Sequence, residues 1–176
     1  VSIDASGPGN LATARGVAVS GGFIYVAGYA KGELNSQANM GAEDPFLIKF
    51  DASGNTVWTR MWGDSNNDYA HGVAVDVSGN IYVVGTTFGN WGGQTTAGDL
   101  DAFVTKFNGS GDQGWTRFVG GTGPDAGRAV AADADGYVYV AGDLVQTDAD
   151  AFLAKFNPTT GDELWRSILS SSHCDV

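Results

Sequence analysis

The chain has 176 residues, 43% hydrophobic and 11% aromatic, a composition that supports a packed core and excludes an intrinsically disordered segment. A net charge of −11 excludes the basic footprint on which binding to nucleic acid or to an anionic membrane surface depends. The single cysteine, Cys174, excludes an internal disulfide framework, and no apolar run reaches the ~18–20 residues of a membrane-spanning helix.

In chain order, VSIDAS at 1–6 reads as the end of the last strand of a preceding unit. ARGVAVSGGFIYVAG at 14–28 holds a small apolar strand, a glycine turn, and a strand alternating aromatic and β-branched residues. After a loop at 29–43 come DPFLIKF at 44–50, a DASG turn, and VWTRM at 57–61. The same order returns as AHGVAVDVSGNIYVVG at 70–85, a loop at 86–100, DAFVTKF at 101–107 and GWTRF at 114–118. It returns again as GRAVAADADGYVYVAG at 127–142, a loop at 143–149, DAFLAKF at 150–156 and LWRSI at 164–168. SSHCDV at 171–176 runs on toward where another unit would start.

Tyr25, Tyr82 and Tyr139 are spaced by 57 residues, and so are Gly28, Gly85 and Gly142. The third strands open at Asp44, Asp101 and Asp150, intervals of 57 and 49, so the third copy loses its residues from the loop alone. No segment shows helical periodicity, and 27 glycines without a three-residue period suit tight turns between short strands. Four strands per unit, repeated in tandem, predict an all-β chain of three β-propeller blades, at about 7–63, 64–120 and 121–170. A closed propeller needs roughly four or more blades. Val1 and Val176 therefore read as cut ends of a longer chain, or else two or more copies close the ring between them.

The stretch 63–115, GDSNNDYAHGVAVDVSGNIYVVGTT followed by DAFVTKF, GSG and Trp115, resembles SBBP, the beta-propeller repeat of bacterial and archaeal surface proteins. The resemblance extends over nearly the whole chain and implies a propeller in an extracellular, often multidomain protein, with no shared activity. DASGNTVW at 51–58, NGSGDQGW at 108–115 and NPTTGDELW at 157–165 are similar to the tryptophan-docking motif of quinoprotein propellers. That likeness implies that Trp58, Trp115 and Trp165 pack between adjacent blades. The adjacent cysteine pair and the metal-binding set of those enzymes have no counterpart in this sequence.

Candidate site residues fall outside and inside the repeat. Trp91, in the glycine-rich GNWGG, is read as an exposed contact for a ligand or partner, or as a ring folded back over its own blade. Arg15, His71 and Arg128 precede the first strand of each copy; if that strand is innermost they sit near the channel mouth and hold an anion, or neutralise acidic loops such as 64–68 and Asp125. Asp133 and Asp135 in DADG offer carboxylates for calcium, although the aligned DVSG marks the position as a hairpin turn. The recurrent Lys49, Lys106 and Lys155 and Asp44, Asp101 and Asp150 are read as structural, pairing with one another or holding loop backbone.

His71 and His173 are far apart, Cys174 beside His173 reads as a chance pair in the chain's end, and no zinc spacing, GxSxG or HExxH occurs. Asn108-Gly-Ser110 is a glycosylation sequon on a turn. No catalytic residue is assigned and no cofactor is expected, calcium being the one candidate ion. The expected function is a non-catalytic structural or protein-interaction propeller at the cell surface or outside the cell. Its partners would be further blades or other chains, copies of itself included, joined through open blade edges. The alternatives are a carbohydrate- or calcium-binding propeller and a fragment of a propeller enzyme such as a quinoprotein. Ligand contacts are expected where the copies differ, in the loops 29–43, 86–100 and 143–149.

Overall fold

The structure, a computed structural model, describes residues 10–145 and 149–170. Three four-stranded antiparallel sheets follow one another along the chain, so the fold is all-β and each repeat is one blade of a partial, unclosed propeller. Blade 1 holds β1 (Leu11–Ser20), β2 (Phe23–Lys31), β3 (Asp44–Phe50) and β4 (Thr56–Met61). Blade 2 holds β5 (Asp68–Val75), β6 (Ile81–Thr87), β7 (Asp101–Phe107) and β8 (Gln113–Val119). Blade 3 holds β9 (Ala126–Ala132), β10 (Val138–Val145), β11 (Ala149–Phe156) and β12 (Glu163–Leu169). The segment 1–6, expected to finish a preceding blade, lies outside the described residues, as do His173 and Cys174.

Each blade is a meander with strands paired in sequence order, because short polar turns join alternating strands. The β1–β2 turn is two glycines, Gly21 and Gly22, with φ of 58° and 78°, the left-handed pair that matches the twist of a hairpin. The first strands of the three blades lie innermost, β1 against β5 and β5 against β9. They approach closely because small residues face each other; a methyl group on Gly16 would stand 3.1 Å from the Gly72 Cα.

Blade 2 is covered on both faces. One face meets blade 1, where Tyr25, Ala27 and Leu47 pack with Ile81, Val83, Phe103 and Phe107. The other meets blade 3, where Tyr82, Val84 and Val104 pack with Val138, Val140, Phe152 and Phe156. Each fully buried phenylalanine contributes about 1.5–3 kcal/mol, so these two seams carry most of the fold.

Among the described residues, the outer blades show the same positions without a neighbour. Val73 is 9% exposed in the blade 1–blade 2 seam, whereas Val17 and Val19 on the corresponding face of blade 1 are 67% and 72% exposed. At the far end Trp165 is 44% exposed. Among the described residues, each end thus presents a sheet face with no neighbouring blade against it.

Candidate functional site: the blade-to-blade docking surfaces

The recurrent lysines and tryptophans meet the next blade at its outer turn. Lys49 Nζ and Trp58 Nε1, neighbours across the β3–β4 ladder, both donate to the Gly109 carbonyl, at 3.0 and 3.3 Å. Lys106 Nζ and Trp115 Nε1 both donate to the Pro158 carbonyl, at 2.7 and 3.2 Å. Arginines finish the contact. Arg60 donates to Gly111 O at 2.9 Å and Ser110 O at 3.0 Å, and Arg117 donates to Thr160 O at 2.5 Å. Trp115 lies so close over the turn that a methyl group on Gly161 would meet its ring at 2.5 Å. The lysines therefore serve turn carbonyls and not the recurrent aspartates.

In blade 3 the set is incomplete. Lys155 and Trp165 stand in register across the β11–β12 ladder with no blade beyond them, and Lys155 rests over the Tyr137 ring at 3.9 Å. Among the described residues no further blade lies against Trp165, which is 44% exposed, whereas Trp58 and Trp115 meet the next blade's turn. Ser167 occupies the place of Arg60 and Arg117, because Leu153 pairs with Ser167 as Leu47 pairs with Arg60. Arg166 sits one position earlier and forks onto Glu163 at 3.0 and 2.6 Å.

At the other end of the blades the aspartates that open the third strands tie the long loops down. Asp44 Oδ2 accepts from the Met40 and Gly41 N–H groups, and Asp101 Oδ2 accepts from Ala97 N at 2.6 Å. The second oxygen of each is buried without a hydrogen-bond partner. It points at an aspartate of the next blade. A methyl group on Gly63 would stand 2.8 Å from Asp44 Oδ1 and 2.6 Å from Asp68 Oδ2; one on Gly120 would meet Asp101 Oδ1 and Asp125 Oδ2 in the same way. Burial, reinforced by the neighbouring Asp68 and Asp64 carboxylates, pushes the Asp44 pKa up to about 6, and burial also raises Asp68 and Asp101.

A carboxyl whose pKa is higher in the folded state than in the unfolded one adds stability that is complete below about 4 and lost as the pH rises through about 6. Asp44→Asn is therefore expected to flatten the decline of unfolding free energy between pH 4 and 7 and to raise stability at pH 7. Chemical denaturation across that range checks it, and an unchanged pH slope in the variant would contradict it.

The channel-side basic residues share an unexpected feature. The inner ladder skips one residue per blade, and the bulged residues are Arg15, His71 and Arg128. A bulge re-aims its side chain out of the regular alternation of the ladder. Arg15 donates to Tyr29 Oη at 3.1 Å, Arg128 pairs with Asp143 at 2.7 Å, and His71 Nδ1–H donates to Gly127 O at 3.0 Å. Burial, together with the charges of Arg128 and Arg15, lowers the His71 pKa and keeps the ring neutral. Their partners are thus not the acidic stretch 64–68 or Asp125.

Trp91 and Asp133 each take the second of their two readings, the ring folded back over its own blade and the hairpin turn. Trp91 is not an exposed loop residue. It is 8% exposed, stacks edge-on against Phe103 and Phe118 at 5.1 and 5.3 Å, and donates from Nε1 to Thr87 Oγ1 at 2.9 Å. Its counterpart is Leu34: both begin tight turns with two consecutive left-handed residues, Asn35–Ser36 and Gly92–Gly93. The first two long loops are therefore one design, and sequence hid it because the two anchors differ chemically. Nor does Asp133 present a free carboxylate to an ion. Its Oδ1 accepts from Asp135 N and Tyr137 N and its Oδ2 from Tyr139 Oη, which organises the hairpin. Asp135 is exposed, and no group of three or more His, Cys, Asp or Glu among the described residues is placed to hold a metal.

The docking surfaces were not legible as such, since their acceptors are main-chain carbonyls that leave no residue signature. The donors and the turns both recur in sequence, but no residue marks which turn carbonyl accepts.

Comparison with known proteins agrees with the repeat. Residues 57–90, spanning the end of blade 1 and the first half of blade 2, match the beta-propeller repeat family SBBP. The chain is 31% identical over 145 residues to the regulatory protein FlaEY of Caulobacter vibrioides, an alignment covering 72% of this chain and 15% of that protein. The chain thus corresponds to a small part of that relative's length.

Proposed function

We propose that this chain is a non-catalytic structural or protein-interaction module of an extracellular or cell-surface protein, and that it works by joining further protein to its open blade faces. One observation carries the reading. Positions buried between blades in the middle of the chain recur at both ends as exposed apolar side chains, Val17 and Val19 on one side and Leu153, Trp165 and Leu169 on the other. Faces of this kind on a soluble protein mark interaction surfaces. The acidic composition suits a protein that stays soluble outside the cell while keeping its apolar contacts localised.

Val17→Glu with Val19→Glu separates docking face from core. Both side chains face water in the lone chain, so the melting temperature of the double variant is expected to stay within a few degrees of the parent. Association measured by sedimentation is expected to be lost. Loss of the cooperative melt would show that the two valines belong to the core and would sink the reading.

A further inference from the structure

We infer that each internal blade junction binds a calcium ion, one between Asp44 and Asp68 and one between Asp101 and Asp125. Both sites lie within the chain, between blades that are already joined, and neither depends on the interaction reading above.

The four carboxylates are shut away from water: Asp44, Asp68 and Asp125 are 0% exposed and Asp101 is 1% exposed. Each pair meets beside a glycine. Asp44 Oδ1 and Asp68 Oδ2 stand 2.8 and 2.6 Å from the place that a methyl group on Gly63 would take, and Asp101 Oδ1 and Asp125 Oδ2 crowd the same place on Gly120. Any larger residue would put a side chain where the two oxygens converge.

The other contacts of these carboxylates are N–H groups. Asp44 Oδ2 accepts from Met40 and Gly41, and Asp101 Oδ2 from Ala97. Asp68 accepts from Asp64 N at 3.0 Å and Trp91 Nε1 at 3.2 Å, and Asp125 from Gly121 N at 2.6 Å and Val145 N at 2.8 Å. Such donors favour the ionised form and fix each carboxylate in place. Asp44 Oδ1 and Asp101 Oδ1 are different: both are buried without a hydrogen-bond partner, and both are aimed at the facing carboxylate.

Buried charges are paired or coordinate a metal. Among the described residues no lysine, arginine or histidine forms an ion pair with any of the four aspartates. A proton relieves the first pair only below a pH of about 6, where Asp44 takes it up. At neutral pH the counter-charge has to be a cation. Donors that are all oxygen select a hard ion, and calcium accepts irregular sets of six to eight oxygens where magnesium demands a near-ideal octahedron. Two carboxylates per site leave the rest of the shell to main-chain carbonyls and water.

Asp44 and Asp101 open the third strands of their blades, whereas Asp68 opens the first strand of the next blade and Asp125 immediately precedes one. The ion therefore clamps neighbouring blades at their loop end, as the lysine and tryptophan do at the turn end.

Calorimetric titration of the whole chain with calcium chloride, after treatment with chelator, tests both sites. Two equivalents are expected to bind, and a hundredfold excess over the Kd should raise the melting temperature by roughly 5 °C or more. Asp44→Asn should leave one equivalent, and Asp44→Asn with Asp101→Asn none. These variants keep the fold, because the new amide can donate to the facing carboxylate, and their melts in chelator should be at or above that of the parent. Terbium offered in place of calcium gives an independent reading of the first site, because the Trp91 indole donates to Asp68 and sensitises the ion. Its emission should fall by about half or more in Asp44→Asn. Identical melts in calcium and chelator with no heat of binding would overturn the inference. Calcium binding retained in full by the double variant would place the ion elsewhere and overturn both sites, and unchanged terbium emission in Asp44→Asn would overturn the first.

Discussion

Gly85→Ala is expected to destabilise the chain by about 3 kcal/mol or more, the upper range of overpacking in a well-packed core. Gly85 lies in the middle of β6, opposite Phe103 on β7. A methyl group there would stand 2.8 Å from the Phe103 ring and closer still to the Tyr69 carbonyl, whose strand lies on the other side. Neither can yield, because the ring is fully buried and the carbonyl belongs to the ladder. The same pair recurs as Gly28 under Phe46 and Gly142 under Phe152, with rings at 2.8 Å in both. The glycine exists so that a phenylalanine can lie flat across the middle of the blade. With a total stability of roughly 5–15 kcal/mol for a domain of this kind, the substitution removes much of it. Denaturant unfolding of the variant checks this, and a midpoint near that of the parent would contradict the packing described.

The second large effect is expected at Trp91. Trp91→Ala should destabilise by about 3–5 kcal/mol, since it empties a buried site and leaves Thr87 and Asp68 without the indole donor. Trp91→Leu should lose about half as much, because Leu34 fills the equivalent place in blade 1 with no exposed surface at all. Equal losses for the two variants would show that the indole N–H, and not the apolar volume, dominates. An unchanged melt for Trp91→Ala would contradict the burial.

The architecture could be read from the chain because a propeller writes itself in repeats. The intervals of 57 residues between Tyr25, Tyr82 and Tyr139 placed the second strands, and the recurrent Asp and Lys placed the third. In blades 1 and 2 each of those residues touches something that also recurs: a loop N–H, a turn carbonyl, a ring on the neighbouring strand. The features that were not legible share a different property. The turn carbonyls of Gly109 and Pro158 accept hydrogen bonds through the main chain, so no side chain announces them. The Asp44–Asp68 and Asp101–Asp125 encounters join residues of different blades at the same offset of 24, but nothing in that spacing shows that the two carboxylates meet. Leu34 and Trp91 stand 57 residues apart, the interval of the repeat, but their different chemistry hides the shared job until the matching left-handed turns are seen. The loss of the docking arginine at Ser167 was masked by Arg166 next to it, one residue out of register and facing the other way.

Hydroxyl-radical footprinting of the chain tests the seam account most directly. Trp91 packs in the blade 1–blade 2 cluster at 8% exposure, whereas Trp165 lies on the outer face of blade 3 at 44%. The account predicts that Trp165 reacts markedly faster than Trp91. Equal reactivity of the two rings would contradict it.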